Sequence, residues 1–171
     1  MNAKTSPQLD LEIQFATSAM AEKWQDLITK RKVGNWIKKA LQENATITVR
    51  FVGQAESKKL NSTYRNKDYA TNILTFPYEL QQGIDHLSAD LIVCLPVLEK
   101  EARQQQKTLE QHLIHLIVHG TLHAQGFDHE DEVEAEAMEQ LEISILKKLK
   151  QVDLLDELRF VRWVVRHKVL L

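Results

Sequence analysis

The stretch HGTLHAQGFDH, residues His119 to His129, decides how this chain is read. It holds three histidines at spacings of four and six. On a helix, His119 and His123 project from one face, one turn apart. Gly126 can adopt the left-handed backbone that stops a helix, after which the chain turns and His129 can return to the same point. Three imidazoles meeting there make a site for one divalent transition metal per chain, most simply Zn2+, with a fourth position open. An open position points to chemistry rather than scaffolding. A structural staple is the rival reading.

The same spacing occurs in the zinc-peptidase pattern HExxHxxGxxH. Here Gly120 stands where that pattern has its glutamate, so the general base of such a peptidase is missing. The metal frame is kept and the peptidase chemistry is not expected.

Working outward, Thr108 is placed to cap the helix leading into this stretch, with Gln111 as its capping-box partner. Leu109, Leu113, Leu116, Ile117 and Leu122 make its apolar flank. After His129 the sequence predicts an acidic helix. Val133, Ala137, Leu141, Ile145 and Leu149 form its buried stripe, and its acids, Glu142 among them, read first as a solvated face and alternatively as groups that repel stray nucleic acid or tune the metal. Upstream, Leu9, Leu11, Ile13 and Phe15 alternate as a strand. Met20 to Glu43 is helical in pattern, with Gly34 as a break point. Ile47, Val49 and Phe51 alternate in a second strand. A short helix runs from Gln54 to about Tyr64, then a loop over Arg65 to Thr71. Asn72 to Phe76 and Asp90 to Leu95 read as further strands, and Pro96 opens another helix. The expected fold is α+β, a small mixed sheet of about four strands packed with helices, with the three-histidine site at the end of a central helix.

One domain is expected across 1–171, with no repeat or linker. The segment of about 152–171 reads as a basic, amphipathic C-terminal extension, for the domain itself, for RNA or for a protein partner. A net charge of −2 excludes a uniformly basic nucleic-acid binder, so any RNA contact rests on local patches. The lone Cys94 forms no internal disulfide and reads as buried packing. With no signal peptide and no apolar run of membrane length, a cytoplasmic protein is expected.

Three segments carry a resemblance. His119 to His129 resembles the HGxLHxxGYDH signature of the YbeY family, with Phe127 in place of tyrosine. LNSTYRNKDYATNILTFPYE, starting at Leu60, is similar to the family's LNxxYRxKDxPTNVLSFP. Tyr64, Arg65, Lys67, Asp68, Thr71, Asn72, Leu74, Phe76 and Pro77 fall on that motif, and Ala70 replaces its proline. Ala89 to Cys94 is similar to the family's GDIVIC strand, with Ala89 for glycine, a swap expected to alter a turn beside the site. The likeness runs from about Leu9 to Lys150.

The resemblance implies a metal-dependent, single-strand-specific endoribonuclease. Its implied tasks are maturation of the 3′ end of small-subunit rRNA and ribosome quality control, with RNA and the ribosome or its small-subunit proteins as partners. It implies His119, His123 and His129 as ligands, His119 thereby sharing in catalysis, and Arg65 as a catalytic residue. By residue type alone, Arg65 reads first as a surface arginine in a polar loop, and the resemblance reverses that preference. A guanidinium can grip a phosphate through two parallel hydrogen bonds. Arg50, Lys58, Lys59, Arg65 and Lys67 are candidates for a phosphate-binding groove, and Tyr64 and Tyr69 for base stacking. His115 and His112 are candidates to support the metal ligands or contact substrate, or are ordinary helix histidines. Asp128 either orients an imidazole or caps the acidic helix. Asp90 either faces the cleft or sits in a turn. The general base stays open between a metal-activated water, a histidine and the substrate's own 2′-hydroxyl. The rival functions are a ribosome-assembly factor that binds without cutting, and another zinc hydrolase.

Overall fold

The computed structural model describes residues 6–79, 86–127 and 131–149. The extension of about 152–171 lies outside them, as do Asp128 and His129.

Strand β1 (Leu9–Phe15) is followed by helices α1 (Ser18–Trp24) and α2 (Lys30–Ala40). Strand β2 (Asn44–Val52) and helix α3 (Gln54–Arg65) come next. Strands β3 (Ile73–Pro77) and β4 (His86–Cys94) complete the sheet. Helices α4 (Leu95–Gln104), α5 (Leu109–Ala124) and α6 (Glu132–Lys148) follow. The sheet order is β1-β2-β4-β3, with β1, β2 and β4 parallel and β3 antiparallel at the edge. The expected α+β architecture with a mixed four-stranded sheet is what the chain adopts.

The alternation of β2 and β4 sorts the two faces of the sheet. Ala45, Ile47, Val49, Phe51, Ala89, Leu91 and Val93 pack into the main core with Val33, Trp36 and Ile37 of α2 and Leu113, Leu116 and Ile117 of α5. Val52, Leu74, Ile92 and Cys94 face the other way, where Leu60 of α3 and Val97 of α4 cover them. Helix α5 is buried at every position from His112 to Leu122, which is why its sequence is apolar around the whole circumference rather than along one stripe.

Several sequence-based expectations shift. The helical run from Met20 to Glu43 breaks before Thr29, not at Gly34. Thr29 is extended, and its Oγ1 accepts from the Lys32 N–H at 3.2 Å, so a capping residue starts a new helix there. Gly34 stays helical, and a Cβ on it would stand 3.5 Å from Leu11 of β1. Arg65 closes α3 rather than opening a loop, and Asn66 ends the helix in the left-handed conformation, φ 56°. Strand β4 begins at His86, four residues before Asp90, because its pairing with β2 extends from Asn44 opposite His86. Ala89 therefore lies within a strand, opposite Ile47 and Pro77, and not in a turn. Among the described residues no helix is long and apolar enough to cross a membrane.

The acidic helix turns Leu141, Ile145 and Leu149 toward the core as expected, but not Val133 or Ala137. Val133 is 78 % exposed, while Met138, Glu142, Ile145 and Leu146 are buried. A stripe drawn every four residues drifts about 40° per step around a helix of 3.6 residues per turn. Alternating steps of three and four hold one face, and the buried set follows that rule.

Candidate metal centre

Helix α5 presents the centre, and its first turn is firmly closed. The Gln111 N–H donates to Thr108 Oγ1 at 3.1 Å, and the Thr108 N–H donates to Gln111 Oε1 at 2.9 Å. This is the capping box legible in the sequence. At the other end Gly126 has φ 90°, the conformation expected of it. The Phe127 N–H returns to the Leu122 carbonyl at 3.2 Å, and the Phe127 ring packs on the main core. Described structure resumes at Asp131, whose Oδ1 accepts from the Glu134 N–H at 2.8 Å and caps α6.

His119 and His123 share a face, as their spacing requires. Their ring centroids are 4.4 Å apart with an edge-to-face tilt of 67°. His119 is buried and His123 half-buried. His119 Nδ1 is hydrogen-bonded to Glu142 Oε1 of α6. That contact leaves Nε2 as the nitrogen for a metal, the arrangement common at histidine-ligated metals. His115, one turn earlier, has Nε2 at 3.7 Å from Glu142 Oε2. Burial pushes the His115 pKa down to about 4, against the pull of Glu142, so this ring is neutral at neutral pH. Burial works to raise the Glu142 carboxyl, but His119 and His115 outweigh it and hold the group below the usual carboxylate range.

The donor set fits a borderline transition metal: two imidazoles, one of them oriented by a carboxylate. Among the described residues no group of three histidines, cysteines or acids is gathered closely enough to hold a metal without help. The third histidine expected from the sequence, His129, lies outside the described residues together with Asp128.

His112 does not join this face. Its Nε2 meets Glu101 Oε2 of α4 at 2.8 Å, and Glu101 also accepts from Asn72 Nδ2 at 3.1 Å. The three side chains are buried and tie the start of β3 and α4 to α5. Asp90 belongs to the opposite face of the sheet from α5, since it alternates with Ala89 and Leu91. There the Tyr78 hydroxyl donates to its carboxylate at 2.5 Å, which raises the Tyr78 pKa. Asp90 is thus placed away from the histidines, because strand alternation turns it to the far side.

Position 120 explains the missing glutamate. A Cβ built on Gly120 would stand 2.6 Å from Ile73 Cδ1, 3.3 Å from Leu91 Cδ2 and 3.4 Å from Thr75 Oγ1. The residue after the first histidine is the contact between α5 and the sheet, not a position facing the metal.

Arg65 sits at the end of α3, half-buried, and burial lowers its guanidinium pKa while Tyr69 opposes the shift. An arginine stays charged regardless. Its surroundings are braced. Asn61 Nδ2 donates to the Tyr69 carbonyl at 2.8 Å, and Ser57 Oγ donates to the Thr71 carbonyl at 2.9 Å. Several residues of the Leu60–Glu79 motif therefore hold the loop rather than touch a ligand. Arg50, a candidate for the phosphate groove, is paired within the protein. Glu56 accepts from its Nε at 2.8 Å and its Nη2 at 3.3 Å, which neutralises the charge locally. Lys58 is 3.3 Å from Asp68 and lines a groove of about 530 Å³ between α3 and α4, with Lys100 and Gln104. Lys59 and Lys67 are exposed. Tyr64 is 65 % exposed and leans edge-on against Phe76 at 5.2 Å, leaving much of its surface open. Edge strand β3 separates the two halves. Ile73 and Thr75 meet α5 at Gly120, while Leu74 and Phe76 face the α3 side.

Glu142 is the site residue that sequence reasoning misses. Among the acids of α6 the sequence does not single it out. The available signal was its place on the Met138–Glu142–Ile145–Leu146 face, an acid within an otherwise apolar set.

Comparison with known proteins agrees with this geometry. Residues 12–150 match the family model described as Endoribonuclease YbeY. An Endoribonuclease YbeY from Paraburkholderia phymatum is 52% identical over 144 residues, covering 84% of this chain and 94% of that one. Its counterpart from Polynucleobacter asymbioticus is 49% identical over 149 residues, covering 87% and 95%. The fold is similar to a solution structure from Thermotoga maritima, with a TM-score of 0.50 at 25% identity over 82% of this chain and 91% of that one. With its histidine-bearing central helix, its mixed sheet and relatives alike over nearly their whole length, the chain belongs to the endoribonuclease YbeY family.

Proposed function

We propose that this chain is a metal-dependent endoribonuclease that cuts single-stranded RNA in the cytoplasm, maturing the 3′ end of small-subunit rRNA and serving ribosome quality control. The observation that carries this reading is the pairing of His119 and His123 at the end of α5, with Glu142 behind the first ring. His119, His123 and His129 hold one metal, with zinc the simplest choice for three imidazoles. When bound, such a metal supplies Lewis acidity toward a phosphoryl oxygen and lowers the pKa of a coordinated water.

The remaining work falls to side chains. Arg65 is half-buried, and among the described residues no carboxylate pairs with it, in contrast to Arg50 and Lys58. Its fork binds the non-bridging oxygens of the scissile phosphate and offsets charge that grows as the bond breaks. Lys58, Lys59 and Lys67 lie on or just after the same helix and attract the backbone on either side. Tyr64 offers an open ring to an unstacked base. His115 and Asp128 support the ligands. The ribosome and its small-subunit proteins are the setting in which such an RNA end is presented.

The test is Arg65→Ala on a single-stranded RNA carrying the small-subunit rRNA 3′ end. Loss of one transition-state charge contact is expected to slow cleavage by about 10²–10³-fold. Fold and metal content should match wild type, because Arg65 is the last residue of α3 and no described ion pair depends on it. Equal cleavage by the two proteins would remove Arg65 from the reaction.

A further inference from the structure

A carboxylate is buried behind the candidate ligands, and packing alone does not ask for it. Glu142 is 7 % exposed, on a face of α6 otherwise made of Met138, Ile145 and Leu146. An apolar side chain would fill that position at lower desolvation cost. Glu142 instead meets two imidazoles of α5, with one oxygen on His119 Nδ1 and the other 3.7 Å from His115 Nε2.

We propose that Glu142 is the positioning residue of the metal centre, holding His119 in the one tautomer and ring orientation that direct its Nε2 lone pair at the metal. This rests on the reading of His119 as a ligand. A neutral imidazole carries a single N–H, so an anionic acceptor at Nδ1 keeps the proton there and leaves Nε2 unprotonated. The negative charge also makes the ring a stronger donor to a cation. Because the carboxylate comes from α6 and the imidazole from α5, metal affinity depends on the docking of these two helices.

The same helix holds an internal control. His112 and Glu101 form a second buried imidazole–carboxylate pair, at 2.8 Å, that faces α4. Cutting either pair disturbs a buried hydrogen bond on α5, but only one of them reaches a candidate ligand.

The experiment uses the full chain stripped of metal. Zinc affinity is measured by competition with a chromogenic chelator for wild type, Glu142→Gln, Glu101→Gln and His123→Ala, and the histidine tautomers of the wild-type apoprotein are read by 15N NMR. Glu142→Gln is expected to weaken zinc binding by about 10- to 100-fold. Glu101→Gln is expected to lower the unfolding midpoint and leave zinc affinity within about twofold, since its pair does not touch a ligand. His119 in the apoprotein should carry its proton on Nδ1. Wild-type zinc affinity in Glu142→Gln, an equal loss in Glu101→Gln, or an Nε2-protonated His119 would each overturn the proposal. The NMR result needs no variant to fold. Undiminished zinc binding by His123→Ala would instead overturn the ligand assignment beneath it, which separates the two failures.

Discussion

His119→Ala should lose metal binding and about 3 kcal/mol of stability together, whereas His123→Ala should lose the metal alone. The difference lies in what each ring leaves behind. His119 is buried and hydrogen-bonded to Glu142. Its removal leaves a buried carboxylate facing His115 at 3.7 Å. Breaking a buried charged pair by deleting one member costs roughly 3–5 kcal/mol. Protonation limits that cost. Bringing a carboxyl of ordinary pKa 4.5 to its neutral form at pH 7 takes about 3 kcal/mol at 1.36 kcal/mol per unit. His123 is half-buried and meets His119 ring to ring, so its truncation in the apoprotein should cost less than about 1 kcal/mol. Urea unfolding of both variants in EDTA, with zinc stoichiometry measured separately, resolves the two effects. Equal apoprotein stabilities would show that Glu142 does not depend on His119.

Gly120→Glu, the change that would complete the peptidase pattern, is expected to prevent folding rather than confer peptidase activity. Even a single methyl at this position would stand 2.6 Å from Ile73 Cδ1 and 3.3 Å from Leu91 Cδ2, so these two buried side chains must shift to admit it. Overpacking of this kind costs about 1–3 kcal/mol. The carboxylate would add the penalty of an unpaired charge at a helix–sheet contact, several kcal/mol more. Together these approach the whole stability of a small domain, about 5–15 kcal/mol. Gly120→Ala gives the graded comparison. The helix gains about 1 kcal/mol in propensity, which offsets part of the overpacking, so a folded protein with a modestly lower midpoint is expected. A folded Gly120→Glu protein that digests casein would refute this account of position 120.

The strands, the capping box at Thr108 and Gln111, the Gly126 stop and the facing of His119 and His123 were all legible from local pattern. Each depends on residues within one or two turns of each other, where periodicity and backbone conformation leave few alternatives. Glycine signals a break in isolation, so the sequence points to Gly34, whereas the helix breaks before Thr29. In the fold, Gly34 remains helical where α2 meets β1. Arg50 looked like a phosphate ligand beside Lys58 and Arg65 in the sequence, yet Glu56 claims it one element away.

By itself, then, the sequence determined the α+β class, the central helix, the two histidines on one face and the family motifs. Only tertiary structure decided which acid is buried against the histidines and which glycine is steric. Glu142 is one of many acids on α6 and is distinguished by the chain folding back, 23 positions on, to set it on His119. Gly120 is distinguished by Ile73, nearly fifty positions earlier, lying against it. Burial converts an ordinary acid into an anchored charge and an ordinary glycine into a point of contact, and burial is a property of packed elements that no local pattern contains.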